Sequence, residues 1–190
     1  MNLPLKLGLI YLVSEVALQY FRRASGRSRR ADGGSFYALW ITIGLGITGG
    51  IALTHFAPAF HFSLLPAVRQ FLGILFAGGL ILRWWAIFSL GKFFTVDVAI
   101  ADDHRLVVRG PYHLMRHPSY TGMLLAFAAL AGTFQNWLSL ACILVPILAA
   151  LAYRIYVEEI ALEATFGDEY RQYAAETKRL IPGVFSTSAS

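Results

Sequence analysis

The feature that most constrains this chain is a series of long apolar stretches. A helix needs about 20 residues to cross about 30 Å of hydrocarbon, and all but the fourth stretch come close to that length. The residues are 57% hydrophobic and only 14% charged, which leaves too few charged groups to cover a soluble domain. We therefore predict an all-α integral membrane protein with about five transmembrane helices. The predicted spans are Leu3–Phe21, Phe36–Phe56, Leu64–Leu90, Thr121–Phe134 and Trp137–Val157.

The fourth and fifth stretches are separated only by Gln135 and Asn136, which predicts an antiparallel helical hairpin. The fourth stretch is shorter than a standard span, so its helix either begins within residues 118–120 or lies partly below the membrane surface. Pro146 in the fifth stretch lacks a backbone N–H and predicts a kink, which membrane bundles tolerate. In the second stretch, Gly46 and Gly50 have the spacing of small residues that is typical of helix packing.

Arginine and lysine residues in the connections predict the orientation, because they are enriched in cytoplasmic loops. The connection between the second and third spans has none, whereas residues 91–120 and the tail from Glu158 onward are rich in both. The connection after the first span contributes Arg22, Arg23, Arg27, Arg29 and Arg30. Five spans with the N-terminus outside place all three basic regions in the cytoplasm.

The two later cytoplasmic segments carry further patterns. Alternation in residues 95–100 and 105–108 indicates short extended pieces, and Gly110 with Pro111 indicates a turn. The tail reads as a helix leaving the membrane, interrupted at Gly167, followed by a short amphipathic helix closed by Pro182. We expect one membrane domain over residues 1–190, comprising a two-helix N-terminal portion (1–63), a core (64–185) and a disordered tail (186–190).

Composition also excludes several kinds of site. Cys142 is the single cysteine and lies in an apolar stretch, so neither a disulfide nor a cysteine-based metal site is expected. His104, His113 and His117 match no familiar metal-ligand spacing, and no metal is predicted. The net charge is +5, but the basic residues lie beside the apolar stretches rather than among aromatic residues on a soluble face. No nucleic-acid partner is therefore expected.

Three polar groups are candidates for chemistry. Arg83 lies about two turns inside the cytoplasmic end of its span, where it either snorkels beside Trp84 and Trp85 or faces a carboxylate or phosphate. Residues 80–82 offer it no acidic neighbour, so the local sequence supplies no partner for a substrate-orienting ion pair. Glu158 and Glu159 point about 100° apart on a helix, so they would contact different parts of one ligand; alternatively, Arg154 and Glu158 form a surface pair.

The third group lies in residues 116–122, RHPSYTG. Pro118 suits a first helical position, so His117 and Tyr120 form either a helix cap with an interfacial tyrosine or one wall of a pocket. Arg116 is interpreted as an anchor to lipid headgroups. The predicted topology brings this group to the same face as Arg83 and the glutamates, and this convergence favours a binding site over three separate surface features.

The chain resembles the isoprenylcysteine carboxyl methyltransferase family, with more distant similarity to phospholipid N-methyltransferases. The likeness covers roughly residues 70–185 and is carried by RHPxYxG, then EExxL, then FGxxYxxY, in that order and with a hairpin between the first two. The resemblance implies methyl transfer from S-adenosylmethionine at the cytoplasmic membrane face. The cofactor region would be formed by the 91–120 loop and the C-terminal helices.

The resemblance also implies roles for individual residues. Arg83 lies where the family keeps an arginine implicated in catalysis. The residues implied to bind the cofactor are Gly91, His117, Pro118, Tyr120, Glu158, Glu159, Tyr170, Tyr173 and Arg179.

The implied acceptor is lipidic or otherwise hydrophobic, and a carboxylate is favoured because it is already ionised at pH 7. An amine acceptor, as in the phospholipid N-methyltransferases, would need a general base such as His117 or a glutamate. A nicotinamide-dependent sterol-type reductase is a second alternative, and a membrane scaffold or small transporter a third. A scaffold or transporter would place polar residues near the midplane of the bilayer, whereas in this sequence they gather at one face.

Overall fold

The computed structural model describes residues 3–21, 29–30, 35–91, 99–100 and 106–181. The tail at 186–190, His104, and most of the basic residues in the first connection therefore lie outside the described residues. The elements are α1 (Leu3–Phe21), β1 (Arg29–Arg30), α2 (Ser35–Phe56), a 3₁₀ helix (Pro58–Phe60), α3 (Pro66–Leu90), β2 (Ala99–Ile100), a 3₁₀ helix (Gly110–His113), α4 (Pro118–Gly132), α5 (Trp137–Phe166) and α6 (Asp168–Glu176). Each predicted span overlaps one of the helices α1 to α5, and the largest difference is at the end of α5, which continues to Phe166 rather than ending at Val157.

Among the described residues, three helices are long and apolar enough to cross a membrane: Ala38–Phe56, Pro66–Leu90 and Trp137–Phe166. Their outer faces are apolar and open, with Leu45 69%, Ile74 70% and Ile81 68% exposed, as expected for side chains that contact lipid. The chain is therefore an integral membrane protein. The fourth apolar helix, α4, has 15 residues, and α1 carries Lys6 and Glu15 within 19 residues. A count of five spans stays a prediction.

The short helix α4 forms the centre of the bundle. Ala126, Phe127, Ala129 and Ala131 are fully buried, which fits a helix that is surrounded by protein rather than lipid. Its closest neighbour is α3, because Gly79 and Gly122 bring the two backbones together. A Cβ on Gly79 would lie 2.6 Å from the Gly122 carbonyl oxygen. This contact determines how closely the first turn of α4 approaches Arg83.

A second glycine contact joins α2 to α5. A Cβ on Gly50 would lie 2.8 Å from Ile143 Cδ1, and a Cβ on Gly46 would lie 3.4 Å from the Ile143 backbone. The Ser139 hydroxyl also donates to the Gly50 carbonyl at 2.7 Å. The predicted packing role of the glycine pair is confirmed.

The connections meet at opposite ends of the bundle. At one end β1 and β2 pair antiparallel, Arg29 with Ile100 and Arg30 with Ala99, so the connections after α1 and α3 lie on one side. At the other end Asn136 caps α5 and donates to the Ala57 carbonyl at 2.9 Å. The predicted α4–α5 hairpin is confirmed. The small β1–β2 ladder is an addition to the all-α expectation; it falls within 95–100, whereas residues 106–108 form no strand.

The tail corrects one boundary. The break at Gly167, where φ is 54°, and the amphipathic α6 are as predicted. The helix ends at Glu176, however, and not at Pro182. Residues 177–181 instead run beside residues 115–121, since Arg116 N–H donates to the Lys178 carbonyl at 2.7 Å and His117 N–H to the Arg179 carbonyl at 3.0 Å. Backbone pairing with another segment replaces the last helical turns.

The α3–α4 contact predicts a difference between two adjacent glycines. Gly79→Ala inserts a methyl group between two backbones that cannot both relax, and we expect a loss of about 1–3 kcal/mol of stability. Gly78→Ala is the matched control, because nothing lies within 4 Å of its Cβ position and alanine is the better helix former. Thermal unfolding in detergent checks this. Equal melting temperatures for the two variants would contradict the assigned contact.

Candidate functional site

The turn at residues 115–121 is the organising element of the site. His117 is the N-cap of α4 with Pro118 in the first turn, where the missing N–H of proline costs nothing. The tail fastens this turn from outside: besides the backbone pairs at residues 116 and 117, the Thr121 hydroxyl donates to the Leu180 carbonyl at 2.7 Å. The turn, α5 and the tail thus form one unit.

Glu159 lies where these three segments meet. Its carboxylate accepts from Arg116 Nε at 3.1 Å and lies 3.2 Å from His117 Nε2. From the tail, Arg179 reaches it with Nη2 at 2.7 Å. The Glu159 side chain is 13% exposed, so it is a charge largely removed from water and balanced by cationic and N–H donors.

Glu158 makes a separate set of contacts, as expected for adjacent helical residues. It accepts from the Tyr120 hydroxyl at 2.7 Å, and that hydroxyl in turn accepts from Arg154 Nε at 2.9 Å. His117 Nδ1 lies 3.8 Å from Glu158, and the His117 and Tyr120 rings stack with centroids 5.6 Å apart. The Glu158 side chain is 30% exposed, so its carboxylate keeps open access to a ligand.

Two tyrosines of α6 border this network. The Tyr173 hydroxyl donates to the Tyr112 carbonyl at 2.6 Å, and burial raises the pKa of Tyr173 to about 12. Burial, followed by the negative charge of Glu159, raises the pKa of Tyr170 well above its ordinary value. Both phenols therefore keep their protons at neutral pH. The buried Tyr170 hydroxyl has no hydrogen-bond partner among the described residues, so it is a donor available to a ligand.

Arg83 belongs to a second polar group, deeper in the bundle. Its Nε and Nη2 donate to the two carboxylate oxygens of Glu15 at 2.5 and 2.7 Å, and Nη1 donates to the Ser119 hydroxyl at 2.8 Å. Arg83 is 8% and Glu15 3% exposed. Arg83 therefore does not snorkel. Ser119 lies in the first turn of α4, between His117 and Tyr120, and so connects the two polar groups.

The structure brings together most of the residues that the sequence indicated. His117, Tyr120, Glu158, Glu159 and Arg179 form one polar cluster, which we call the carboxylate network; within it His117 lies 3.2 Å from Glu159 and 3.8 Å from Glu158 and so connects the two sets of contacts. Pro118 supports it from the first turn of α4, and Tyr170 and Tyr173 border it. Gly91 ends α3 with φ of 59°, about two turns beyond Arg83.

Three residues of these groups had been missed or misread. Arg116 is not a headgroup anchor, because it bonds to Glu159 and to the carbonyls of Ala174 and Thr177. Arg154 is buried and bonds to Tyr120, so its interpretation as a surface residue is wrong. Glu15 had no role. A carboxylate within an apolar stretch was the available signal, since such a group requires a partner.

A cavity of about 780 Å³ opens between α1, α2 and the end of α4. Its walls are mostly apolar and include Leu9, Trp40 and Ile43, whereas His55 and Arg69 lie at the end away from the carboxylate network. Tyr11 lines the cavity and lies one helical turn before Glu15. The volume is within the range of small-molecule sites in proteins.

Comparison with known proteins places these residues in context. Residues 71–164 match the model of the isoprenylcysteine carboxyl methyltransferase (ICMT) family. The chain is 32% identical over 174 residues to protein-S-isoprenylcysteine O-methyltransferase A of Arabidopsis thaliana, covering 79% of this chain and 87% of the relative. It is 29% identical over 127 residues to a probable protein-S-isoprenylcysteine O-methyltransferase of Oryza sativa subsp. indica, covering 63% of this chain and 66% of the relative.

A solved structure also matches. The eukaryotic intramembrane Ras methyltransferase ICMT superposes with a TM-score of 0.59 at 29% identity. The match covers 76% of this chain but only 52% of that chain, so about half of the solved protein corresponds to the chain described above. The similarity extends to both sequence and fold over the matched part.

The docking of the tail depends on Arg116 and can be tested directly. Arg116→Met removes the bonds to Glu159 and to two carbonyls at the end of α6, so we expect faster hydrogen exchange of the amides in residues 177–181, by roughly tenfold or more. Exchange measured by mass spectrometry checks this. Arg171→Met is the control, because among the described residues Arg171 pairs with Glu163 and Asp168, which are both exposed. Unchanged exchange in Arg116→Met would show that the tail is held without it.

Proposed function

Because the chain belongs to the isoprenylcysteine carboxyl methyltransferase family, we propose that it transfers a methyl group from S-adenosylmethionine to the carboxylate of a lipidic or otherwise hydrophobic acceptor. The relatives are named for methylation of isoprenylcysteine, so an S-prenylated cysteine with a free carboxyl group is the first acceptor to test. The observation that carries the proposal is the carboxylate network, which joins the family's motifs into one site beside a membrane bundle.

The residues of the network fit the proposed cofactor. S-adenosylmethionine carries an ammonium group, a carboxylate, ribose hydroxyls and a sulfonium. Glu158 offers a partly exposed carboxylate for a cation or hydroxyl, and Arg179, whose side chain is 57% exposed, can bond to an anion. The Tyr170 hydroxyl, which has no hydrogen-bond partner in the described part of the chain, provides a further donor. His117, Tyr120, Glu158, Glu159, Tyr170, Tyr173 and Arg179 are the residues that would hold it.

The chemistry asks little of the protein beyond positioning. The bound cofactor supplies an electrophilic methyl group on a positively charged sulfur. An acceptor carboxylate is ionised at pH 7 and needs no general base, so alignment and exclusion of water provide most of the rate enhancement. Glu158 and Glu159 hold negative charge where the cation binds. Arg83, which bonds to Ser119 in the first turn of α4, orients the acceptor carboxylate.

The cavity between α1 and α2 supports a hydrophobic acceptor. Its inner wall includes Tyr11, adjacent to the Glu15–Arg83 pair, and its walls offer few polar groups. An apolar chain in the cavity would therefore bring its polar end toward Arg83. Such an acceptor would enter from the bilayer, while the water-soluble cofactor would reach the carboxylate network from solution.

The site is proposed to face the cytoplasm, with five spans and the N-terminus outside. The pairing of β1 with β2 supports this, because it brings the basic connections after α1 and α3 to one side. The connection at residues 57–65 at the other end has no lysine or arginine, which is the asymmetry expected between cytoplasmic and external loops.

Two substitutions separate the proposed roles. Glu159→Gln is expected to weaken S-adenosylmethionine binding by at least about tenfold, because a neutral amide no longer balances Arg116, His117 and Arg179. Arg83→Ala is expected to keep the Kd within about twofold and to abolish turnover, because Arg83 bonds to Glu15 and Ser119 instead. Calorimetry and transfer of a labelled methyl group to an S-prenylcysteine measure the two effects.

Glu163→Gln is the matched control for Glu159→Gln, since Glu163 lies one turn later on α5 and, within the described part of the chain, pairs with the exposed Arg171. Loss of binding in Arg83→Ala with retention in Glu159→Gln would contradict the assigned roles. Folded wild-type protein that fails to bind S-adenosylmethionine would contradict the proposed function. Binding of NADPH instead would favour the reductase, and methylation of an aminophospholipid the N-methyltransferase.

The cavity gives an independent prediction. Gly44 lines it and has nothing within 4 Å of its Cβ position, so the side chain in Gly44→Leu starts from open space and fills part of the cavity. We expect KM for a long prenyl acceptor to rise by at least about tenfold, with an unchanged Kd for the cofactor. Gly73→Leu on α3 is the control, because its Cβ position is equally open and it does not line the cavity. A KM that is the same in both variants would remove the cavity from the acceptor's path.

A further inference from the structure

Glu15 is a negative charge in the middle of an apolar helix. It is 3% exposed, and removal of a carboxylate from water costs several kcal/mol unless a partner compensates. That partner is Arg83, which meets both of its oxygens with Nε and Nη2. A bidentate pair of this kind fixes the plane as well as the position of a guanidinium.

The pairing leaves part of Arg83 for another role. A guanidinium has five N–H donors; Nε and one N–H of Nη2 bond to Glu15, and Nη1 bonds to the Ser119 hydroxyl at 2.8 Å and to the Ser119 carbonyl at 3.5 Å. Since Glu15 covers the edge formed by Nε and Nη2 and Nη1 bonds to Ser119 in the first turn of α4, the second N–H of Nη2 is the donor left for another role. Tyr120 is the next residue, and its hydroxyl belongs to the carboxylate network.

The pair also changes the charge that an acceptor would meet. An unpaired arginine in a low-dielectric site attracts a carboxylate strongly. That attraction stabilises the substrate more than a transition state in which the carboxylate loses its charge to the new ester bond, so it lowers kcat. Glu15 makes the local sum of charges zero while it keeps the remaining N–H of Nη2 in place.

We propose that Glu15 is a positioning residue of the methyl transfer: it orients Arg83 toward the acceptor carboxylate and offsets its charge. The inference rests on the proposed function, in which Arg83 contacts the acceptor. Glu15 lies on α1, outside residues 71–164, which match the family model. Under this proposal the N-terminal helix therefore contributes to the reacting centre of this chain.

A purely structural role is the competing explanation, and α1 has other contacts that would serve it. Trp84 Nε1 donates to the Ser14 hydroxyl at 2.7 Å, and the Tyr11 and Phe127 rings lie 4.6 Å apart. Ser14→Ala is therefore a matched control. It removes an α1–α3 hydrogen bond at the adjacent residue and leaves the ion pair intact.

The test is steady-state kinetics on Glu15→Gln with a prenylcysteine acceptor. We expect kcat to fall by at least about tenfold and KM for the acceptor to fall or stay constant, while the cofactor Kd changes less than about twofold. Ser14→Ala should keep kcat and KM. If Glu15→Gln reduces the melting temperature but keeps both kinetic constants, the pair is only structural and the inference is overturned.

A double-mutant cycle gives a second readout. Arg83→Gln keeps an N–H donor, and the cycle uses its residual single-turnover rate at high enzyme concentration. Because Glu15 acts through Arg83, Glu15→Gln should not lower that residual rate further; an equal loss in both backgrounds overturns the inference. Where Glu15→Gln does not fold, Glu15→Asp, which keeps the charge, should show a smaller fall in kcat than Arg83→Gln. An equal fall overturns it. Wild-type protein without methyl transfer to any carboxylate would instead refute the proposed function.

Discussion

The carboxylate of Glu159 is the interaction on which the arrangement of the site depends. It receives Arg116 and His117 from the segment before α4 and Arg179 from the tail, so a single charge on α5 joins segments that are distant in sequence. A largely buried carboxylate is stable only when such donors surround it. Arg116 is also fixed in position by a hydrogen bond to the Thr177 carbonyl, just after α6. The arrangement of the site thus follows from the pairing of one largely buried carboxylate with donors from two other segments.

This arrangement explains which features could be predicted from sequence. Apolar length determined the helices, because a segment such as residues 66–90 has no other way to satisfy its backbone in lipid. The order of RHPxYxG and EExxL placed His117 and Glu159 on consecutive antiparallel helices separated by Gln135 and Asn136. Two facing helix ends then bring these residues into contact. The same reasoning located the break at Gly167, where φ is positive.

Partners that come from distant elements could not be predicted. The sequence around Arg83 contains no acid, and the assignment of Glu15 as its partner requires knowing that α1 packs against α3. Arg154 looked like a surface residue because Glu158 lies four positions later, but the packing of Tyr120 buries it. The tail beyond Glu176 was expected to remain helical, and its backbone instead pairs with residues 116 and 117. In each case a tertiary contact overrides the local pattern.

The two polar groups lie at different depths. Under the proposed function, one group binds the cofactor and the other orients the acceptor. The carboxylate network lies where α5 leaves the bundle and the tail returns, so it can receive a charged, water-soluble cofactor. The Glu15–Arg83 pair lies about 10 Å inside the end of α3, where an isolated charge would be costly. Its presence there is explained by an acceptor that arrives through the bilayer and must present its carboxylate at that depth. Ser119 and Tyr120, adjacent on the first turn of α4, connect the two depths, and the Gly79–Gly122 contact brings that turn close enough to Arg83 to do so.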